Sequence, residues 1–191
     1  SLDRDGFEPA LLRLIAPWLT AARTEIIACG MVGSRQGWFE APYRATPCTP
    51  LDPASLVVTP TRDPRITVRL IPGLKQMKQA DVMRGEETQI AGVLALNPGF
   101  DGVICLPGTH SKWVHVSAGE VVSFQTFMTG ELFALLSTQS VLRHGMAEGG
   151  WDDDAFDTAL SDALSRPERI GAKLFGLRAE GLIAGLGAAA A

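Results

Sequence analysis

Residues 80–96, ADVMRGEETQIAGVLAL, decide how the chain divides. From Gly85 onward Ile90, Val93, Leu94 and Leu96 recur near helical spacing, which predicts a helix that Asn97-Pro98-Gly99 then stops. Three strand-like runs follow: GVICL (102–106), KWVHV (112–116) and EVVSFQTF (120–127). The corner at 107–111 joins the first two, and Ser117-Ala118-Gly119 should close the last two into a hairpin. Upstream, DGFEPALLRLIAPWLTAA (5–22) reads as a helix with Asp5 and Glu8 as a capping box, bent or ended by Pro17. TEIIAC (24–29) and RITVRLIPG (65–73) read as strands, and GMVGSRQGW (30–38) as a glycine-rich loop. Pro42, Pro47, Pro50, Pro53, Pro60 and Pro64 predict irregular surface chain over 41–65, with no central strand. Residues 130–145, 151–165 and 169–186 read as helices, the second with an aspartate-rich first turn. This order is that of an α/β protein in two lobes joined near Gly85, with a cleft for a ligand.

Composition excludes several classes of function. Apolar residues are 46% and charged residues 20%, as in a folded globular protein. Seventeen Lys and Arg are scattered among twenty-one Asp and Glu, for a net charge of −4, so there is no basic footprint for a nucleic acid. No run of about 18 apolar residues marks a membrane span, and no signal peptide opens the sequence. Cys29, Cys48 and Cys105 are an odd number without metal-type spacing, which predicts buried free thiols and a reducing, cytoplasmic setting.

Three segments carry candidate chemistry. In PGTHSK (107–112), Gly108 lets backbone approach a ligand, Thr109 and Ser111 offer hydroxyls, and Lys112 offers a charge; a plain strand turn is the alternative. A single glycine before a strand is not a Walker loop. His110 sits in the corner, whereas His115, five residues on, would face the other side of a strand, so the two histidines do not make a zinc pair. Glu86 and Glu87 open a helix, where acids serve first as caps; one carboxylate there could also orient and deprotonate a hydroxyl. Helical neighbours point about 100° apart, so only one can face a given cleft. In the loop at 30–38, Arg35 could grip a carboxylate, Gln36 could bond hydroxyls, and Trp38 could cover a sugar face or equally belong to the core. A hydrolase using Thr109 or Cys29 with His110 would lack a residue to orient the histidine.

Taken in order, GMVGSRQGWFEAPY (30–43), DVMRGEETQIAG (81–92), ICLPGTHSKWV (104–114) and FMTGELFALLS (127–137) resemble the 2-dehydro-3-deoxygalactonokinase family of sugar-acid kinases. The resemblance implies a two-lobed actin-like ATPase fold of the ribonuclease H-like type. Residues 1–84 would be the remainder of the N-terminal, substrate-binding lobe, and 85–191 the linking helix and part of the nucleotide-binding lobe. It also implies ATP and Mg2+, with 2-dehydro-3-deoxygalactonate as the acceptor; the gluco epimer and a non-catalytic sugar-acid-binding lobe are the alternatives. By position, Ser34-Arg35-Gln36 are similar to the substrate loop of glycerol kinase and its relatives, with Trp38 and Arg84 expected beside them. Gly85-Glu86-Glu87 correspond to the segment carrying the catalytic base, which points to Glu86. Gly108 and Thr109 match a phosphate-binding turn, and His110, Ser111 and Lys112 are grouped with it, Lys112 on charge and proximity. The Asp-x-Gly-Thr strand that opens such kinases and holds magnesium is not found here, nor are the closing adenosine-site glycines. The sequence is therefore expected to be an incomplete copy of the family's chain.

Overall fold

Helix α1 (Arg4–Ile15) begins where the Asp3 carboxylate accepts a hydrogen bond from the Gly6 amide at 2.8 Å. Asp3, not Asp5, is therefore the cap. Glu8 is not part of a box either: it is buried and accepts from the amides of Arg62 and Asp63 at 2.7 to 3.0 Å. Pro17 does end the helix, in a short 3-10 turn over Ala16–Trp18. These features belong to a computed structural model that describes residues 3–146 and 150–184. It divides into two units, Ser1–Phe127 and Met128–Ala191.

In the first unit the strands are β1 (Thr24–Ala28), β2 (Tyr43–Ala45), β3 (Val57–Thr59), β4 (Ile66–Leu70), β5 (Gly73–Gln76) and β6 (Asp81–Met83). Helix α2 (Glu86–Leu96) follows, then β7 (Gly102–Leu106), β8 (Ser111–Ser117) and β9 (Glu120–Phe127). Among the described residues these strands make three three-stranded sheets, ordered β1-β4-β3, β2-β5-β6 and β7-β8-β9. The β1–β4 pair is parallel, Ile26 opposite Val68, and so needs a long crossover; that crossover carries the glycine loop, β2 and β3. The last sheet is antiparallel throughout, and Ala118 and Gly119, both at positive φ, turn β8 into β9.

Two apolar clusters hold the unit together. Ile15, Ala41, Ile66, Val68 and Leu70 pack α1 against the first sheet, and Leu74, Met83, Ile90, Val114, Val116, Val121 and Phe124 join the other two sheets to α2. Backbone bonds between Cys48 and Val121 and the Gln76 side chain on the Phe124 amide cross between those two sheets.

Several expectations need correction. Residues 41–65 contain β2 and β3, which are only three residues long and lie at sheet edges, the positions that proline leaves open. Strands β5 and β6 carry no alternating apolar signal, and they fill the chain between the strand expected over 65–73 and the helix expected from Gly85. Leu96 is 84% exposed, because the helix has turned its last residue off the core face. Cys29 and Cys105 are exposed rather than buried: each lies out of phase with the inward residues of its strand.

The second unit holds α3 (Thr129–Gln139), a 3-10 turn Val141–His144, α4 (Asp153–Ser165) and α5 (Ile170–Ala184). The helix expected over 130–145 is broken at Ser140, whose extended backbone and hydroxyl, accepting from the Leu142 amide at 3.0 Å, restart the chain. Asp152 caps α4. The last two residues of the tail pattern, 185 and 186, lie outside the described residues. No described helix is long and apolar enough to cross a membrane.

Two glycines give a matched test of the packing. A Cβ on Gly73 would meet the Met83 carbonyl at 2.4 Å and the Tyr43 ring at 2.7 Å, whereas one on Gly92, inside α2, meets nothing within 4 Å. In urea unfolding Gly92→Ala is expected to stabilise by up to about 1 kcal/mol, and Gly73→Ala to destabilise by about 1–3 kcal/mol.

Candidate active site

Gly85 sets the site. It precedes α2 at φ +110°, a conformation that residues with a Cβ rarely adopt, and a Cβ there would also meet the Gly30 Cα at 3.2 Å. The start of α2 thus lies directly against the glycine loop, which runs as a 3-10 turn over Gly30–Gly33. The residues after that turn and Arg84 then share a cavity of about 280 Å³, lined by Met31, Ser34, Arg35, Gln36, Glu40, Tyr43 and Arg84. Four of the expected substrate residues, Ser34, Arg35, Gln36 and Arg84, are brought together here. Trp38 is not: its ring stacks on Phe7 at 6.3 Å and packs with the first cluster.

The two arginines of the cavity differ. Arg35 is exposed and its Nε lies 3.5 Å from Glu40 Oε1. Arg84 is laid over the Tyr43 ring at 4.2 Å, and one guanidinium nitrogen donates to the Ala41 carbonyl at 2.8 Å. Its Nε and other terminal nitrogen are buried with no hydrogen-bond partner among the described residues. A guanidinium so placed attracts a planar anion such as a carboxylate.

The adjacent acids take separate tasks. Glu87 is fully buried, and both its oxygens accept from the Gly85 amide, at 2.9 and 2.7 Å. Burial pushes its carboxyl pKa up, and the neighbouring Glu86 charge adds to that, against the lowering effect of the Gly85 and Thr88 hydrogen bonds. Glu86 keeps 24% of its side chain exposed. One of its oxygens accepts from the Arg84 amide at 2.9 Å, and the other lies 3.5 Å from Lys112 Nζ. Of the pair, Glu86 is the one a ligand can reach.

Lys112 lies on the inward face of β8, in phase with Val114 and Val116, and is 4% exposed. Its Nζ donates to Thr126 Oγ1 at 3.0 Å, directly across the β8–β9 ladder. Thr126 in turn donates from its hydroxyl and its amide to the two oxygens of Asp81, each at 2.8 Å. Sequence reading missed Asp81, Thr126, Tyr43 and Glu40. A lysine in phase with two inward valines was the signal that could have found the first two, since a buried ammonium needs partners.

Gly108, Thr109 and His110 form the exposed bend before β8, with the Gly108 amide donating to Ser111 Oγ at 3.3 Å. Among the described residues, a Cβ on Gly108 would meet the His110 carbonyl at 3.9 Å, an ordinary contact distance.

A family model described as 2-keto-3-deoxy-galactonokinase matches residues 1–191. The chain belongs to this family. It is 40% identical over 195 residues to "Probable 2-dehydro-3-deoxygalactonokinase DgoK1" of Rhizobium meliloti (strain 1021), covering 97% of this chain and 62% of the relative. It is 36% identical over 179 residues to "2-dehydro-3-deoxygalactonokinase" of Escherichia coli (strain K12), covering 92% and 59%. Among solved structures, the crystal structure of a "putative 2-dehydro-3-deoxygalactonokinase protein" from Sinorhizobium meliloti matches with a TM-score of 0.88 at 38% identity, over 97% of this chain and 62% of that one. The chain therefore spans about three fifths of the galactonokinase relatives it matches.

The Glu87 environment has a pH signature. A raised folded-state pKa means that the native carboxyl holds a proton the unfolded chain has already released. Stability from this group is present at low pH and is lost as pH rises from the ordinary value of 4.5 toward the raised one. Urea unfolding at a series of pH values should show Glu87→Gln gaining stability relative to the parent across that rise.

Proposed function

We propose that this chain carries the acceptor-binding and base-bearing part of a kinase that transfers the γ-phosphoryl group of ATP to the 6-hydroxyl of 2-dehydro-3-deoxy-D-galactonate. Family membership gives the class of reaction, and the names of the relatives give the substrate. The observation that carries the reading is the placement of Glu86: an accessible carboxylate fixed at the start of α2, next to Arg84 of the cavity and against the strand that leaves the Gly108 corner.

In this reading Arg84 and Arg35 receive the sugar-acid carboxylate, and Ser34 and Gln36 take its hydroxyls. Glu86 orients the 6-hydroxyl and accepts its proton as the oxygen bonds to phosphorus; the bond from that phosphorus to the β–γ bridging oxygen breaks, and ADP leaves. The glycine corner at Gly108, Thr109 and His110, with Ser111 behind it, has the backbone amides and hydroxyls that suit a phosphate tail. Phosphoryl transfer depends chiefly on alignment and charge stabilisation. Magnesium is assigned no residue, because among the described residues no three His, Cys, Asp or Glu side chains come together as a metal set. The finer fold assignment, a two-lobed actin-like ATPase with residues 1–84 in the substrate lobe and 85–191 in the linking helix and nucleotide lobe, belongs to the same proposal.

The test is a coupled ADP-release assay on the complete protein with the galacto epimer, the gluco epimer and no sugar. ADP release that requires the galacto acid is expected. Glu86→Gln should lower kcat by about 100-fold or more while KM changes little. Undiminished turnover in that variant would remove Glu86 from the chemistry; binding of the sugar acid without ADP release would favour a non-catalytic lobe.

A further inference from the structure

Lys112 has almost no surface to offer a ligand, yet it carries a charge into the interior. Its side chain is 5% exposed, and its Nζ is engaged twice, by Thr126 Oγ1 at 3.0 Å and by Glu86 Oε1 at 3.5 Å. The first engagement is directional. Because the Thr126 hydroxyl donates its only proton to Asp81 Oδ1, it can meet Lys112 only with a lone pair. Asp81 cannot swing away, since its oxygens also accept from the amides of Thr126 and Val82, each at 2.8 Å. The ammonium is therefore fixed from below by β9 and β6, and what it presents upward is aimed at Glu86.

We propose that Lys112 is a positioning residue that fixes the Glu86 carboxylate through a relay of Asp81 and Thr126, and not a contact to the nucleotide phosphates. The proposal rests on the reading of Glu86 as the base. Among the described residues, the charged and polar groups facing Glu86 include Lys112 from β8, the Arg84 amide from the turn before α2, and Glu87 beside it on α2. The Arg84 guanidinium is turned to Ala41 and Tyr43 instead. With one oxygen held by an amide and the other by an ammonium, the carboxylate keeps one orientation, and each oxygen retains a lone pair for the acceptor hydroxyl. Without Lys112 the carboxylate is held by the Arg84 amide alone and can turn about that bond.

Lys112→Met, Lys112→Arg and Thr126→Val, made in the complete protein, separate this role from phosphate binding. Lys112→Met should lose about 100-fold in kcat with the KM values for ATP and sugar acid nearly unchanged, since misplacing a reacting group by an ångström costs that much. Lys112→Arg should recover part of the loss, and Thr126→Val should show a smaller loss in the same parameter; these two variants also serve if Lys112→Met fails to fold. A raised KM for ATP with kcat retained would make Lys112 a phosphate ligand and overturn the proposal, as would unchanged kinetics in all three. A double-mutant cycle with Glu86→Gln distinguishes the two levels. If Lys112 acts through Glu86, adding Lys112→Met to Glu86→Gln costs nothing further; full additivity sinks the positioning role while leaving Glu86 as base. If Glu86→Gln alone retains full turnover, the base reading fails and the positioning role falls with it, whatever Lys112→Met does.

Discussion

A lysine ammonium on the inward face of a strand is tolerable only when its charge is answered, and the answer organises the centre of the first unit. Lys112 stands where the β8 alternation would otherwise place another valine. It is satisfied by partners from two other elements, Glu86 on α2 and Thr126 on β9, and Thr126 passes the demand on to Asp81 on β6. One buried charge thus ties the middle sheet, the last sheet and the connecting helix to a single arrangement. Apolar packing of Leu74, Met83, Ile90 and Val114 would hold these same elements together without specifying which helical face meets the strand. The polar chain supplies that specification, and breaking a buried pair by removing one partner is far costlier than never having built it.

The same constraint divides the two adjacent glutamates. Both sit in the first turn of α2, where unpaired amides and the helix dipole favour acids, and both take a backbone amide from the turn that precedes them. Glu87 spends both oxygens on the Gly85 amide inside the protein and secures the positive-φ turn. Glu86 spends one oxygen on the Arg84 amide and keeps a quarter of its side chain in contact with solvent. Adjacent residues on a helix diverge by about 100°, so a paired acid motif yields one structural and one accessible carboxylate as a matter of geometry.

What the sequence made legible follows the strength of local signals. The runs at 102–106, 112–116 and 120–127 were readable because each alternates or is bounded by turn residues, and α2 because Ile90, Val93 and Leu94 lie on one face with Asn97-Pro98 beyond. Strands β2, β3, β5 and β6 were not, being three or four residues long and defined by their pairing rather than by their own composition. The site divides in the same way. Ser34, Arg35 and Gln36 are contiguous and Arg84 neighbours Glu86 in sequence, so proximity came without tertiary knowledge. Tyr43 under Arg84, and Asp81 behind Thr126, are contacts across 41 and 45 positions that no local pattern announces. Trp38 is ambiguous in sequence, since an aromatic beside a glycine loop serves a core and a sugar face equally well; in the fold it stacks on Phe7 at the half-buried margin of the first cluster.

The two arginines of the cavity differ in how far their charge is already answered. Arg35 is solvated and already beside Glu40, so a ligand carboxylate there would displace one anion with another and gain little in high dielectric. Arg84 offers a guanidinium whose desolvation has been met in part by the Tyr43 ring, an interaction of about 0.5–2 kcal/mol, and by one carbonyl. Two of its nitrogens lack partners among the described residues, a deficit of about 1–3 kcal/mol for each buried group. Both of those nitrogens are buried, Nη1 against Gly33 of the glycine loop, which leaves the guanidinium charge only partly answered by the described residues. Arg84 and Glu86 flank Gly85, so a buried cation and an accessible carboxylate are carried on the single turn that opens α2.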